Sequence, residues 1–361
     1  MKQEAPKKPA VNPVKVRGVL HGSFPFVPKR AFFEKEALEY SIGLRVFRIL
    51  KELGTEVRLT GSHNRITGIP GAAAREAYLE GKRTLVVGVR KTLDFQTCKP
   101  SAHFQLPLVT GCPGKCQYCY LNTTLGKKPY IRVYVNIDDI LGQARKYIDL
   151  RLPEPTVFEG AATSDPLPVE PYTGALSKAV TFFGEQEHGR FRFVTKFTNV
   201  EPLLNLQHQG HTRIRFSINA SSVIDRFERG TPGLAQRLEA AEKAAAAGYP
   251  TGFIIAPVFW YPGWQEEYRQ VFHLLRERFG SGEKVTLEMI THRFTKKAKN
   301  IILDVFPDTT LPMDETERKF KFGQFGYGKY VYQPDTMDEI KSSLNEMVQE
   351  YVPMAKVEYL V

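Results

Sequence analysis

Cys112-Pro113-Gly114-Lys115-Cys116-Gln117-Tyr118-Cys119-Tyr120 places three of the chain's four cysteines in a C-x3-C-x2-C spacing. Thiolates are soft ligands that suit zinc and iron-sulfur clusters. Three protein ligands leave one coordination position open, as catalytic metal sites do and closed structural sites do not. A [4Fe-4S] cluster is ordinarily held by four cysteines, so three leave one iron free for a substrate or cofactor. Zinc completed by a histidine such as His103 is a second reading, and unligated thiols are a third. Cys98 lies outside the motif and reads as an ordinary core or surface residue.

Outward from this stretch the chain alternates strand and helix patterns, which points to parallel strands joined by helical crossovers. Strands are expected at residues 106–110, 156–160, 191–196, 213–218, 253–258 and 285–290. Helices are expected at 138–150, 172–183, 234–247, 265–279 and 295–305. Six such units give an α/β fold with a partial (β/α)6 TIM-like barrel. Its active-site residues belong at the carboxyl ends of the strands, and the cysteine loop follows the first strand directly. A small N-terminal α/β segment, residues 25–100, precedes the barrel at 101–310. It carries a helix expected over 34–53, stopped by Gly54, and strands at 57–60 and 84–89. A hairpin, helix and strand close the chain over 311–361.

Residues 1–24 are basic and rich in Pro and Gly, and read as a disordered leader, with His21-Gly22-Ser23 resembling a cloning remnant. The formal net charge is +11. The leader contributes Lys2, Lys7, Lys8, Lys15 and Arg17 against Glu4, so a surplus remains on the folded part and favours a polyanionic partner. At 42% hydrophobic and 25% charged residues the composition is that of a soluble globular protein. No apolar run is long enough to span a bilayer, so no membrane role is expected. One cysteine outside the motif is not a secreted disulfide framework, which favours a reducing cytoplasm.

Polar groups gather where the expected strands end. Glu159-Gly160-Ala161-Ala162-Thr163-Ser164-Asp165 closes the second strand, Lys196 the third, and Ser217 with Asn219 the fourth. Taken singly, such residues are more often turn or cap residues than ligand contacts. Their convergence on one face favours a site. Residues 318–330 mix cations with aromatics and turn at glycines. Aromatic faces stack on bases while Lys and Arg meet phosphates, so this hairpin is either a nucleic-acid contact or an edge hairpin packed on the barrel.

The cysteine motif, Thr163-Ser164-Asp165 and Gly323-Gln324-Phe325-Gly326-Tyr327-Gly328 together resemble the spore photoproduct lyases, which are radical S-adenosylmethionine (SAM) DNA-repair enzymes. The likeness runs from about residue 25 to the carboxyl end. It implies a reduced [4Fe-4S] cluster on Cys112, Cys116 and Cys119 that cleaves SAM to a 5′-deoxyadenosyl radical. That radical takes a hydrogen from the thymine dimer 5-thyminyl-5,6-dihydrothymine, which then reverts to two thymines. By the same resemblance Ser164, Lys196, Ser217, Asn219 and Ala256 contact SAM, and Tyr118 and Tyr120 belong to a radical relay. Asp165 and Tyr327 are expected at the lesion. The implied partners are DNA carrying spore photoproduct and a reducing electron donor, inside the spore of an endospore-forming bacterium. A radical SAM enzyme modifying RNA nucleosides, and a non-catalytic zinc-stabilised nucleic-acid-binding protein, are the alternatives.

One position departs from that pattern. The family carries a cysteine before Thr-Ser-Asp as hydrogen donor to the thymine radical, and this chain has Ala162. The resemblance therefore implies a variant whose final hydrogen return is impaired.

Overall fold

A computed structural model of the chain describes residues 24–280, 284–322 and 328–361. The leader to residue 23 and Tyr327 lie outside the described residues. Phe24, grouped above with the leader, is buried and packs on Tyr172 with ring centroids 4.8 Å apart.

The front segment opens with β1 (Arg30–Glu34), β2 (Glu56–Thr60) and β3 (Thr84–Gly88). The expected helix from residue 34 begins later, at Ser41–Glu52, behind a 3-10 turn at Lys35–Glu39. The turn folds so tightly onto the helix start that a Cβ on Gly43 would lie 1.7 Å from the Ala37 carbonyl oxygen. β1 escaped the sequence pattern because it is buried on both faces yet has a charge at each end. Arg30 pairs with Glu80, and the Glu34 carboxylate accepts from Val89 N–H at 2.9 Å beside His63 at 2.8 Å. Buried charges persist when paired in this way.

Next come β4 (Thr97–Cys98), β5 (Ala102–Gln105), β6 (Val109–Thr110), β7 (Lys115–Cys116) and β8 (Ile131–Tyr134). The barrel continues with β9 (Thr156–Glu159), β10 (Gly189–Thr195), β11 (Thr212–Ile218), the short β12 (Glu228–Arg229), β13 (Thr251–Val258) and β14 (Thr286–Thr291). A separate hairpin, β15 (Arg318–Phe322) with β16 (Gly328–Tyr332), precedes the last strand, β17 (Lys356–Leu360).

Two sheets organise these strands. One has the order β2-β1-β3-β8-β6, and the other is an eight-stranded curled sheet, β17-β14-β13-β11-β10-β9-β5-β4. From β5 to β17 the pairing in the larger sheet is parallel. This is the expected α/β partial barrel, with two corrections. Residues 106–110 are not its first strand: β5 takes that place, and β6 pairs with β8 in the other sheet. Leu106 N–H reaches the Glu159 carbonyl at 2.8 Å, but Pro107 has no N–H to continue the ladder, and the chain crosses between sheets. The front sheet likewise takes in β8 from beyond residue 100. One apolar core runs through both sheets, from Phe33 and Leu85 through Val133 to Phe158 and Phe216.

Strand alternation sets the barrel interior. Arg192 and Lys196, Arg215 with Ser217 and Asn219, Gly252 with Ile254 and Ala256, and Glu288 share one parity. The lower layer of this set is ionic. Arg215 pairs with Glu159 and, at 3.0 Å, with Glu288, while Arg192 reaches Glu288 at 2.9 Å. A Cβ on Gly252 would stand 2.4 Å from Thr286 Oγ1 and 3.2 Å from Arg215 Cγ, so the glycine leaves both side chains their place. Removing one partner of such a buried set leaves a charge uncompensated, which costs roughly 3–5 kcal/mol. Arg215→Ala should lose about that much in urea unfolding. Arg213→Ala, which breaks the more exposed 2.7 Å pair to Glu358, should lose about 1 kcal/mol or less.

Candidate active site

The cysteine loop leaves the seam between the sheets. Gly111 N–H bonds the Thr163 carbonyl at 2.8 Å and bridges Ser164, so the loop starts at the carboxyl end of β9. Gly111 holds φ of 86° there, and an added Cβ would meet the Tyr130 carbonyl at 2.6 Å. Further on, β7 pairs antiparallel with β12, setting Cys116 opposite Glu228. The Gln117 N–H closes on the Phe227 carbonyl at 2.9 Å. Gly114 N–H donates to Cys112 Sγ at 3.3 Å, and Cys119 N–H to the Cys116 carbonyl at 3.3 Å.

None of the three thiols is in a disulfide. All three act electrostatically on one buried phenol, Tyr78, so they converge on a common region. Burial pushes the Cys116 thiol up to about 11 and Cys112 higher still, so thiolates need a positive partner in this loop. The buried Lys82 contributes part of it, with Nζ 2.8 Å from the Cys112 carbonyl. Among the described residues, no three His, Cys, Asp or Glu side chains are close enough to grip a single ion. A cubane cluster spreads its cysteines over separate irons and fits three convergent but separated thiols. His103 stands apart from the loop: its Nδ1 accepts from Val157 N–H at 2.9 Å, near the amino end of β9.

Glu228 was not legible as a site residue, and the structure makes it the hub. Its carboxylate is fully buried, accepts from the Tyr118 hydroxyl, and pairs with Lys196 at 2.7 Å and Arg237 at 2.6 Å. Those two cations hold it down at about 2 despite burial. Arg237 also donates to the Ser217 and Pro232 carbonyls at 2.9 Å each. Lys196 Nζ lies 2.6 Å from the Tyr118 hydroxyl, so Lys196, Ser217 and Tyr118 meet through one carboxylate.

The other expected residues fall around this hub with differing freedom. Asn219 is completely buried, donates to the Pro257 carbonyl at 2.8 Å and accepts from the Tyr268 hydroxyl at 2.9 Å, which places it beside Ala256. Ser164 donates to the Gly160 carbonyl at 3.4 Å. Asp165 is buried and raised to about 6, and accepts from Thr195 Oγ at 2.9 Å and the Lys196 and Leu167 N–H groups. It thereby ties the ends of β9 and β10. Tyr120 is 55% exposed, and its hydroxyl donates to the Ala162 carbonyl. Sequence reasoning missed Tyr78 and Lys82 because they sit on a front-segment helix with no motif. Glu228 and Arg237 were missed because nothing in their local pattern marks a buried pair.

A curled parallel sheet carrying a three-thiol loop over its strand ends defines a radical SAM enzyme with a [4Fe-4S] cluster. The chain belongs to the spore photoproduct lyase family, whose profile matches residues 26–361. It is 52% identical to the spore photoproduct lyase of Clostridium acetobutylicum over 333 residues, 92% of this chain and 98% of that one. It is 47% identical to that of Bacillus subtilis over 337 residues, 93% and 98% of the two chains. A spore photoproduct lyase complexed with dinucleoside spore photoproduct superposes with a TM-score of 0.90 at 47% identity, covering 93% of this chain and 100% of that one. A doubly substituted one with bound AdoMet and the same dinucleoside superposes equally well at 48% identity, with the same coverage.

The Glu228 clamp makes an acid-side test. A depressed carboxylate adds stability that is complete above the ordinary glutamate value of 4.5 and fades as pH falls towards 2. Glu228→Gln leaves Lys196 and Arg237 without their counter-charge and should cost about 3 kcal/mol at pH 7. In urea unfolding of the metal-free chain, the gap between parent and variant should narrow below pH 4.5.

Proposed function

We propose that this chain reverts spore photoproduct in DNA to two thymines, in the spore interior of an endospore-forming bacterium. The observation that carries the reading is the set of three unpaired, convergent thiols above the strand ends of a partial barrel. The curated relatives that share the family are spore photoproduct lyases of Clostridium acetobutylicum and Bacillus subtilis. Among the described residues no helix is long and apolar enough to cross a membrane.

Cys112, Cys116 and Cys119 would hold the [4Fe-4S] cluster, and with three protein ligands they would leave one position for SAM. When bound, cluster and SAM supply the one-electron chemistry that takes the first hydrogen atom from the lesion. Ser164, Lys196, Ser217, Asn219 and Ala256 line the SAM cleft. Lys196, already charged against Glu228, faces the anionic end of the cofactor. Tyr118 keeps its proton, because burial beside Glu228 raises its pKa well above the usual tyrosine value. It serves to hold Lys196 and the loop. Tyr120 is the open phenol, placed to pass a hydrogen atom. Asp165 fixes the turn that presents Ala162 to the lesion.

A lesion inside a duplex cannot reach a buried cluster and has to be extruded. The hairpin of β15 and β16 forms its own two-stranded sheet, docked on the barrel through the Phe294–Tyr330 bridge, with Phe322 75% and Phe320 50% exposed beside Lys319 and Lys321. Such aromatic faces among cations suit stacking on bases. Tyr327, which lies outside the described residues, is a lesion contact in this reading.

Anaerobic reconstitution with iron and sulfide, followed by incubation with SAM, reductant and dinucleotide spore photoproduct, tests the function. A brown protein that converts the lesion to the thymine dinucleotide is expected. Cys119→Ala should lose at least 100-fold in both lesion repair and SAM cleavage. A colourless protein holding one zinc, or SAM cleavage without any effect on the lesion, would reject the reading.

A further inference from the structure

We infer that Tyr78 and Lys82 set the reduction potential of the cluster, Tyr78 as a hydrogen-bond donor to its sulfurs and Lys82 as its buried counter-charge. The inference rests on the cluster reading of the three thiols and not on the identity of the lesion.

Both residues come from the front-segment helix Ala74–Lys82. Four positions apart, they share one face of it. That face is turned inward, with each residue only 2% exposed. Lys82 Nζ lies over the Tyr78 ring, 5.5 Å from its centroid, and donates to the Cys112 carbonyl at 2.8 Å. Phe306 meets the Tyr78 ring edge-on, with centroids 5.3 Å apart. Gly81 lets the helix end close in. A Cβ there would stand 2.7 Å from the Lys128 carbonyl carbon and the Pro129 nitrogen, in the chain between the cysteine loop and β8. The helix is thus fixed as one wall of the cluster loop.

Two polar groups on that wall are left unsatisfied by the protein itself. Tyr78 Oη is buried without a hydrogen-bond partner among the described residues, although the charges of Cys119, Cys116 and Cys112 all reach it. An unpaired buried hydroxyl carries its full desolvation cost. Lys82 has no carboxylate in ion-pair contact among the described residues. Glu80, two positions before it, is taken by Arg30 and by Arg83 at 3.3 Å. The helix end offers an ammonium only a partial negative charge. On the loop, Lys115 adds a cation close enough for the charges of Arg83 and Lys82 to act on it. Buried charges persist when paired, so cations gathered without an acid call for an anion among them.

A [4Fe-4S] cluster on three thiolates is such an anion, and its sulfurs are acceptors for the Tyr78 hydroxyl. Reduction adds an electron to a cluster that is already negative. Net charge and hydrogen bonds to the sulfurs tune the potential of such clusters. A buried ammonium and a hydroxyl donor both favour the reduced state, so they raise the potential and ease the electron transfer that comes before SAM cleavage.

Redox titration of the reconstituted full chain, read by the EPR signal of the reduced cluster with SAM and lesion left out, tests this. Lys82→Met should lower the ratio of reduced to oxidised cluster at a given potential at least tenfold, a fall of about 59 mV for one electron. Lys82→Arg keeps the charge and should stay within about threefold of the parent. Tyr78→Phe should lower the ratio about threefold. Without metal, Lys82→Met should unfold at no lower urea concentration than the parent, because it buries no unpaired charge. A lysine that only ties the helix to the Cys112 carbonyl would instead weaken the metal-free chain and leave the potential in place. A fall of less than tenfold in Lys82→Met, an equal fall in Lys82→Arg, or an unchanged potential in Tyr78→Phe overturns the inference. Should Lys82→Met bind too little iron to titrate, Tyr78→Phe decides alone. A colourless parent that takes up no iron overturns the cluster reading itself.

Discussion

The Glu228 carboxylate is the constraint on which the site depends. Two cations surround it out of reach of water, and a buried ion pair of this kind repays its desolvation poorly as stability. What it provides is position. Its backbone pairs with Cys116, its side chain holds the Tyr118 hydroxyl, and its two cations come from the end of β10 and the helix after β12. Three thiols within nine residues have few internal hydrogen bonds to shape them. A loop of that kind is defined from outside, and Glu228 is the outside group that touches both its backbone and its side chains.

The same economy governs the barrel interior. One strand parity carries the Arg192, Arg215, Glu159 and Glu288 network below and Lys196, Ser217, Asn219 and Ala256 above. The lower layer fills the barrel with matched charge, so the upper layer can remain polar and open without an apolar plug. Polar groups at the carboxyl ends of β10 and β11 are thus supported from lower on the same strands, Lys196 by Arg192 four positions earlier and Ser217 by Arg215 two positions earlier.

Most of this barrel was legible because its strands and helices keep their periods, and because parity alone sends Ser217 and Asn219 to the interior. The cysteine spacing was legible because metal ligands must be close in sequence to share a loop. What escaped was long-range. β1 went unassigned because the paired charges at Arg30 and Glu34 masked a buried strand. Residues 106–110 looked like a barrel strand because Leu106, Leu108 and Val109 are apolar, although Pro107 stops the ladder. Lys82, Tyr78, Glu228 and Arg237 reach the site from elements whose local sequence says nothing about it.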